Sequence, residues 1–121
     1  MIAAMTGFHD LMRLPEERVS DKITRRVLTG AQLMFTWWSV KAGAYAPPHS
    51  HPHEQIFWVL KGRIEFTLDG EMRICGPGEM GVIPGGVVHE NRFLEDSETV
   101  EVFAPPREDF LGTAPTLAVF R

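Results

Sequence analysis

A chain of 121 residues with 44% hydrophobic and 23% charged residues has the make-up of a globular protein with a modest core, which sets aside the disordered and membrane-spanning classes. Its formal charge is -4 and its Lys and Arg residues are scattered rather than gathered in a stripe, so no nucleic-acid partner is expected. A single cysteine, Cys75, permits neither an internal disulfide nor a thiolate cluster, and the N-terminal run MIAAMTGFHD has no basic signal-peptide start, so the expected location is the cytoplasm, without a membrane partner.

Gly and Pro punctuate the chain without forming a linker, and no repeat appears, so residues 1–121 are expected to form one domain. The stretch LPEERV (14–19) carries the one hint of helix. KITRRVL (22–28) and LMFTWWSV (33–40) read as strands. The second is apolar on both faces, with Leu33, Phe35 and Trp37 on one and Met34, Trp38 and Val40 on the other. That pattern fits a strand buried under a covering segment or a subunit interface, and a homodimer is expected. IFWVL (56–60) is followed by RIEFTLDGEMRI, where Ile64, Phe66 and Leu68 alternate with Arg63, Glu65, Thr67 and Asp69, the period of two of a strand with one buried face. Asp69-Gly70 marks a type I′ hairpin turn, after which Met72 and Ile74 are expected to resume the inward face. Further strands are expected at 80–83, 89–93, 99–104 and 116–120. Many short strands at regular spacing indicate an all-β fold, a small antiparallel β-barrel or jelly roll.

The chemistry concentrates in HSHPHEQ, residues 49–55. In extended chain His49 and His51 point to the same side and can converge on one ion. Alternation alone would add His53 and Gln55, but Pro52 cannot donate to a ladder and is expected to kink the chain. Spacing therefore does not choose among His53, Glu54 and Gln55. His9 lies apart and reads as a surface residue, while Cys75 has no neighbour in sequence that would activate its thiol.

Two spaced motifs give the chain a resemblance to the cupin superfamily. Gly43, five residues, His49-Ser-His51, three residues, Gln55, six residues and Gly62 match the first cupin motif, with Gln55 where that motif usually has Glu. Gly78, five residues, Pro84-Gly-Gly86, two residues and His89 match the second, which here closes on Phe93 rather than Asn, with Asn91 close by. The resemblance implies a cupin-type double-stranded β-helix and a divalent transition metal (Ni, Zn, Mn or Fe) held by His49, His51, Gln55 and His89. His53 reads as a residue at the pocket rim or behind the ligands, with direct ligation the alternative, and Glu54 as solvated or hydrogen-bonded to a neighbour rather than a ligand. With neither Cys nor carboxylate among these ligands, the ion would keep its full double charge, attract an anion and act as a strong Lewis acid.

VEVFAPPREDFL (100–111), taken with PPHSHPHEQ, resembles the small cupins of pectin and alginate breakdown, which convert 4,5-unsaturated monouronates to linear keto forms. In those proteins an aspartate needed for turnover matches Glu101, and the residue matching Arg107 lies near the substrate. The resemblance thus implies an enzyme acting on a small anionic sugar acid, with Glu101 and Arg107 as catalytic residues. Trp38, Phe57, Trp58 and Phe103 are candidate aromatic walls. Alternation sets Thr99, Glu101 and Phe103 on one strand face and Val100 and Val102 on the other, so Glu101 points either to solvent or into the barrel mouth. The plain alternative for Arg107 is a surface ion pair with Glu108 or Asp109. Other functions compatible with the motifs are an iron-dependent dioxygenase and a non-catalytic module that binds a sugar or metabolite.

Overall fold

Ten antiparallel strands form two sheets in the computed structural model, which describes residues 4–112. In chain order they are β1 (Glu17–Ser20), β2 (Ile23–Thr29), β3 (Met34–Val40), β4 (Tyr45–His49), β5 (Glu54–Lys61), β6 (Ile64–Leu68), β7 (Glu71–Cys75), β8 (Met80–Ile83), β9 (His89–Phe93) and β10 (Ser97–Ala104). The larger sheet runs β1-β2-β3-β10-β5-β8 and the smaller β4-β9-β6-β7. β10 lies between β3 and β5, β8 beside β5, and β9 between β4 and β6, which is the crossed connectivity of a jelly roll and bears out the all-β, cupin-type expectation. The core between the sheets is apolar, built on Ile23, Met34, Val59, Ile64, Ile83 and Phe103.

Alternation controls what each strand of the larger sheet presents. Residues 34, 36, 38 and 40 of β3 are buried while Phe35 and Trp37 are half-buried on the outer face, and β10 and β5 follow the same rule across the ladder. Two aromatic rings brace the interior: Phe57 of β5 and Phe66 of β6 stack at 4.0 Å with planes 16° apart. Gly81 of β8 makes room for them, because a Cβ there would lie 2.3 Å from the Phe57 ring.

Three expectations about elements change. Residues 14–19 hold no helix: a short 3-10 turn spans Leu11–Arg13 and β1 follows, paired with β2, its Glu17 facing Arg25 across the ladder. Met72 and Ile74 face outward and are exposed. The cause is the turn itself: Asp69 (φ 51°) and Gly70 (φ 83°) form a two-residue loop, so Leu68 pairs with Glu71 and the inward set continues as 71, 73 and 75. A strand absent from the expected set, β4, runs through Pro47 and Pro48; neither can donate, and its ladder with β9 shifts register between Ala46 and His49. The expected strand at 116–120 lies outside the described residues.

Candidate metal centre and cavity

The register shift in β4 has a direct chemical result, because it sets His49 opposite His89, the first residue of β9. His51 follows in the link to β5, and its carbonyl accepts from the Gly86 N–H at 2.8 Å. Gly85 must be small here, since a Cβ would meet the Pro52 carbonyl oxygen at 2.3 Å. So the Pro-Gly-Gly turn packs directly on the His-containing link. Ligand-capable atoms of His49, His51 and His89 all lie within 4.8 Å of one another.

Each of these imidazoles is oriented by backbone. The Nδ1 of His49 lies 2.7 Å from the Pro47 carbonyl oxygen, that of His51 is 3.0 Å from His53 O, and that of His89 is 2.9 Å from Val87 O. A carbonyl only accepts, so each Nδ1 carries the proton and each Nε2 presents a lone pair, the tautomer a metal requires. Burial, with the charge of Arg107 and then that of His89, lowers the His51 pKa to about 4, and burial lowers that of His89 as well, so both rings are neutral at pH 7.

Gln55, the second residue of β5, completes the cluster. Its Nε2 donates to Glu101 Oε1 at 2.6 Å, which turns its Oε1 toward His51 Nε2 at 3.1 Å. Since His51 Nε2 has no proton to give, two acceptors face each other. A cation between them removes the repulsion, and the donor set of three imidazole nitrogens and one amide oxygen fits a divalent transition ion.

Glu101 points inward from β10, between Thr36 of β3 and Phe57 of β5, and not to solvent. Burial pushes its pKa up to about 7, against the Gln55 hydrogen bond and the Arg107 charge, which pull it down. The backbone behind it is held by Thr36, whose Oγ1 donates to Glu101 O at 3.0 Å and accepts from Trp38 Nε1 at 2.7 Å.

Arg107 is 3% exposed, so the surface ion pair gives way to a buried one. Its Nε and Nη2 donate to the two carboxylate oxygens of Asp109 at 2.9 and 2.7 Å, and its guanidinium lies over Phe103 and Phe110, 5.0 and 4.2 Å from the ring centroids. Arg25 of β2 stands 4.1 Å over the same Phe110 ring and pairs with Glu17 at 3.5 Å. A cavity of about 70 Å³ is lined by His49, Gln55, His89, Glu101, Arg107 and Arg25 among others. A second, of about 330 Å³, lies beyond the Phe57–Phe66 pair, between β7 and β8.

Sequence reasoning missed Arg25, Asp109 as a buried partner, and Phe110. Arg25 had a signal, because alternation in KITRRVL puts it on the face of Ile23 and Val27; the segment 105–112 has no periodicity to read. Of the candidate walls, Phe103 and Trp38 line the first cavity, Phe57 lines the second, and Trp58 lies on the outer face. His53 is buried rather than at the rim, its Nε2 3.5 Å from Glu108 and its carbonyl holding His51. Glu54 and His9 are exposed, and burial together with the Glu79 charge raises the Cys75 pKa. Among the described residues no helix is long and apolar enough to cross a membrane.

Comparison with known proteins agrees with this fold. The Cupin domain family model matches residues 36–104. The pectin degradation protein KdgF of Dickeya dadantii is 34% identical over 100 residues, which cover 80% of this chain and 91% of that one. The structure of KdgF from Halomonas sp. superposes with a TM-score of 0.81 at 31% identity, covering 88% of this chain and 99% of the other. An RmlC-like cupin from Shewanella frigidimarina shares the fold, with a TM-score of 0.83, 24% identity and coverage of 88% and 96%.

Proposed function

The chain belongs to the cupin family, and we propose that it is a metal-dependent enzyme that opens the ring of a 4,5-unsaturated monouronate to its linear keto form. The similarity to the pectin degradation protein KdgF supports this substrate class. The observation that carries the reading is the Gln55 amide, which joins the histidine cluster on one side to a buried carboxyl on the other.

His49, His51, Gln55 and His89 would hold a divalent ion, nickel, zinc, manganese or iron, which supplies Lewis acidity toward the substrate's oxygens. Arg107, with Nε and Nη2 committed to Asp109, retains Nη1 for the substrate carboxylate. Glu101, whose pKa of about 7 keeps a large protonated fraction near neutrality, delivers its proton to C4 of the enol ether. A water oxygen then bonds to C5 while the Glu101 carboxylate takes up the proton that water releases. The Glu101 carboxyl then gives that proton to the ring oxygen as its bond to C5 breaks and takes back the proton of the C5 hydroxyl as C5 becomes a ketone; the C1 diol so formed loses the water, leaving the linear aldehyde and Glu101 protonated as at the start. Phe103, Phe110 and Trp38 wall the cavity and limit water around the reacting carbons.

Turnover of an unsaturated monouronate, followed by loss of its ultraviolet absorbance, tests the proposal in the wild type and in Glu101→Ala. General acid catalysis contributes about 10²–10⁴-fold, so the variant should be at least about 100-fold slower. Equal rates would remove Glu101 from the mechanism. Oxygen uptake during turnover would favour a dioxygenase instead, and tight binding without product a non-catalytic module.

A further inference from the structure

One charged side chain of the first cavity has no part in the mechanism above. Apart from imidazoles, the titratable groups lining that cavity are Glu101, Arg107 and Arg25. Arg25 stands at an inward position of β2, opposite Trp38 of β3, where its inward neighbours are Ile23 and Val27. Its guanidinium lies 5.5 Å over the Trp38 ring and 4.1 Å over Phe110, the ring on which Arg107 also rests at 4.2 Å. A charge among such neighbours costs free energy unless it is paired and hydrogen-bonded.

The two guanidiniums differ in how well they are paired. Arg107 donates to both carboxylate oxygens of Asp109, at 2.9 and 2.7 Å, and the two side chains are 4% and 0% exposed. Its charge is largely balanced where it sits. Arg25 meets Glu17 through Nη2 at 3.5 Å, and that carboxylate is 33% exposed, so water screens the pair. The Nε of Arg25 is buried with no hydrogen-bond partner among the described residues. Burial is the largest influence on its pKa and lowers it; Glu17 and Asp109 pull the other way, and Arg107 adds to the lowering. Arg25 is thus the under-paired cation of the cavity, and an anion bound beside it would complete its pairing.

We propose that Arg25 is a specificity-determining residue of this site, a second guanidinium that joins Arg107 in selecting the carboxylate of a small sugar acid. The proposal rests on the uronate reading above and deepens it. Glu17 is then a weak counter-ion with which the substrate's carboxylate competes, so the two partners of one ion pair affect substrate binding in opposite directions. A guanidinium present only to pack against Phe110 would show no such opposition.

Steady-state kinetics on the unsaturated monouronate, beside calorimetric titration of the metal-loaded chain with glucuronate, tests this. Arg25→Gln should raise both KM and the glucuronate dissociation constant at least about tenfold, the usual weight of a hydrogen bond to a charged group. Its kcat should stay within about threefold, because an interaction equal in the ground and transition states moves KM alone. Arg25→Lys, which keeps the charge and loses the planar fork, should recover part of the affinity. Glu17→Gln should lower both constants about twofold or more, since a partly exposed ion pair is worth up to about 1 kcal/mol. The Glu17→Gln arm decides even if Arg25→Gln fails to fold, because Glu17 is partly exposed on an edge strand. A wild type that neither turns over the monouronate nor binds glucuronate would overturn the uronate reading and this proposal together. Wild-type turnover with KM unchanged in Arg25→Gln, a fall in kcat at constant KM, or weaker glucuronate binding in Glu17→Gln would overturn the assignment of Arg25 alone.

Discussion

The two ends of the Gln55 amide face opposite chemistries: Nε2 donates to Glu101 at 2.6 Å, while Oε1 lies 3.1 Å from the lone pair of His51. The amide is thus oriented by the acid, and Gln55→Glu would set two carboxyls within hydrogen-bond distance, forcing them to share a proton as adjacent carboxylates do. We expect this variant to bind a divalent metal at least as tightly as the wild type, because its fourth ligand becomes anionic. It should bind an anionic sugar acid more weakly, with KM rising about tenfold, equivalent to about 1.4 kcal/mol. Metal titration and steady-state kinetics check the two halves separately; tighter substrate binding would contradict the charge argument.

The three inward Nε2 atoms give a stability readout independent of turnover. A ligand at about 100 times its Kd stabilises the folded state by about 2.7 kcal/mol, which for a protein of this size corresponds to a Tm increase of about 10 °C. Zinc or nickel should raise the Tm of the chelator-treated protein by that order, and His49→Ala, His51→Ala and His89→Ala should each abolish the increment. His9→Ala, on the exposed surface, should leave it unchanged.

How much of this was legible in the sequence differs by element. The convergence of His49 and His51 followed from alternation, and the opposition of His49 to His89 needed the register shift that Pro47 and Pro48 impose on β4. The choice of Gln55 over His53 rested on the family motif, because the chain leaves its extended course at Pro52 and alternation loses its meaning there. Met72 and Ile74 were misassigned through parity: the hairpin was placed correctly, but a two-residue turn makes 68 and 71 partners and so reverses the face of 72 and 74. Trp58 was read as a wall and lies outside, because an aromatic residue signals burial or an interface alike until the strand's inward parity is known.

Arg107 and Asp109 form a pair whose removal in halves should be costly. Arg107→Met takes the two guanidinium hydrogen bonds from the Asp109 carboxylate, which has no exposed side-chain area, and breaking a buried pair on one side costs about 3–5 kcal/mol. Arg107→Met with Asp109→Leu should recover most of that stability while turnover stays low, since the guanidinium facing the cavity is still missing. Denaturant melts set beside kinetics on both variants check this; recovery of full activity in the double variant would assign Arg107 a purely structural part.

The thiol of Cys75 should be inert in the folded protein. It is buried in the core, and burial with the Glu79 charge raises its pKa, so little thiolate forms at pH 7–8. Alkylation by iodoacetamide should be at least about 100-fold slower in buffer than in denaturant, its rate reporting the opening of β7 from the core. Rapid labelling under native conditions would show that the end of β7 opens easily.

The stack of Phe57 on Phe66 sets a limit on what the protein can accept. Phe66 borders both the cavity that Glu101, His49 and His89 line and the second cavity, and Phe57, stacked on it, lines the second, so the pair stands between the two. Replacing Phe66 with alanine would join the two chambers into one passage, making the depth of the site, and with it the length of acceptable substrate, a property adjustable at one position.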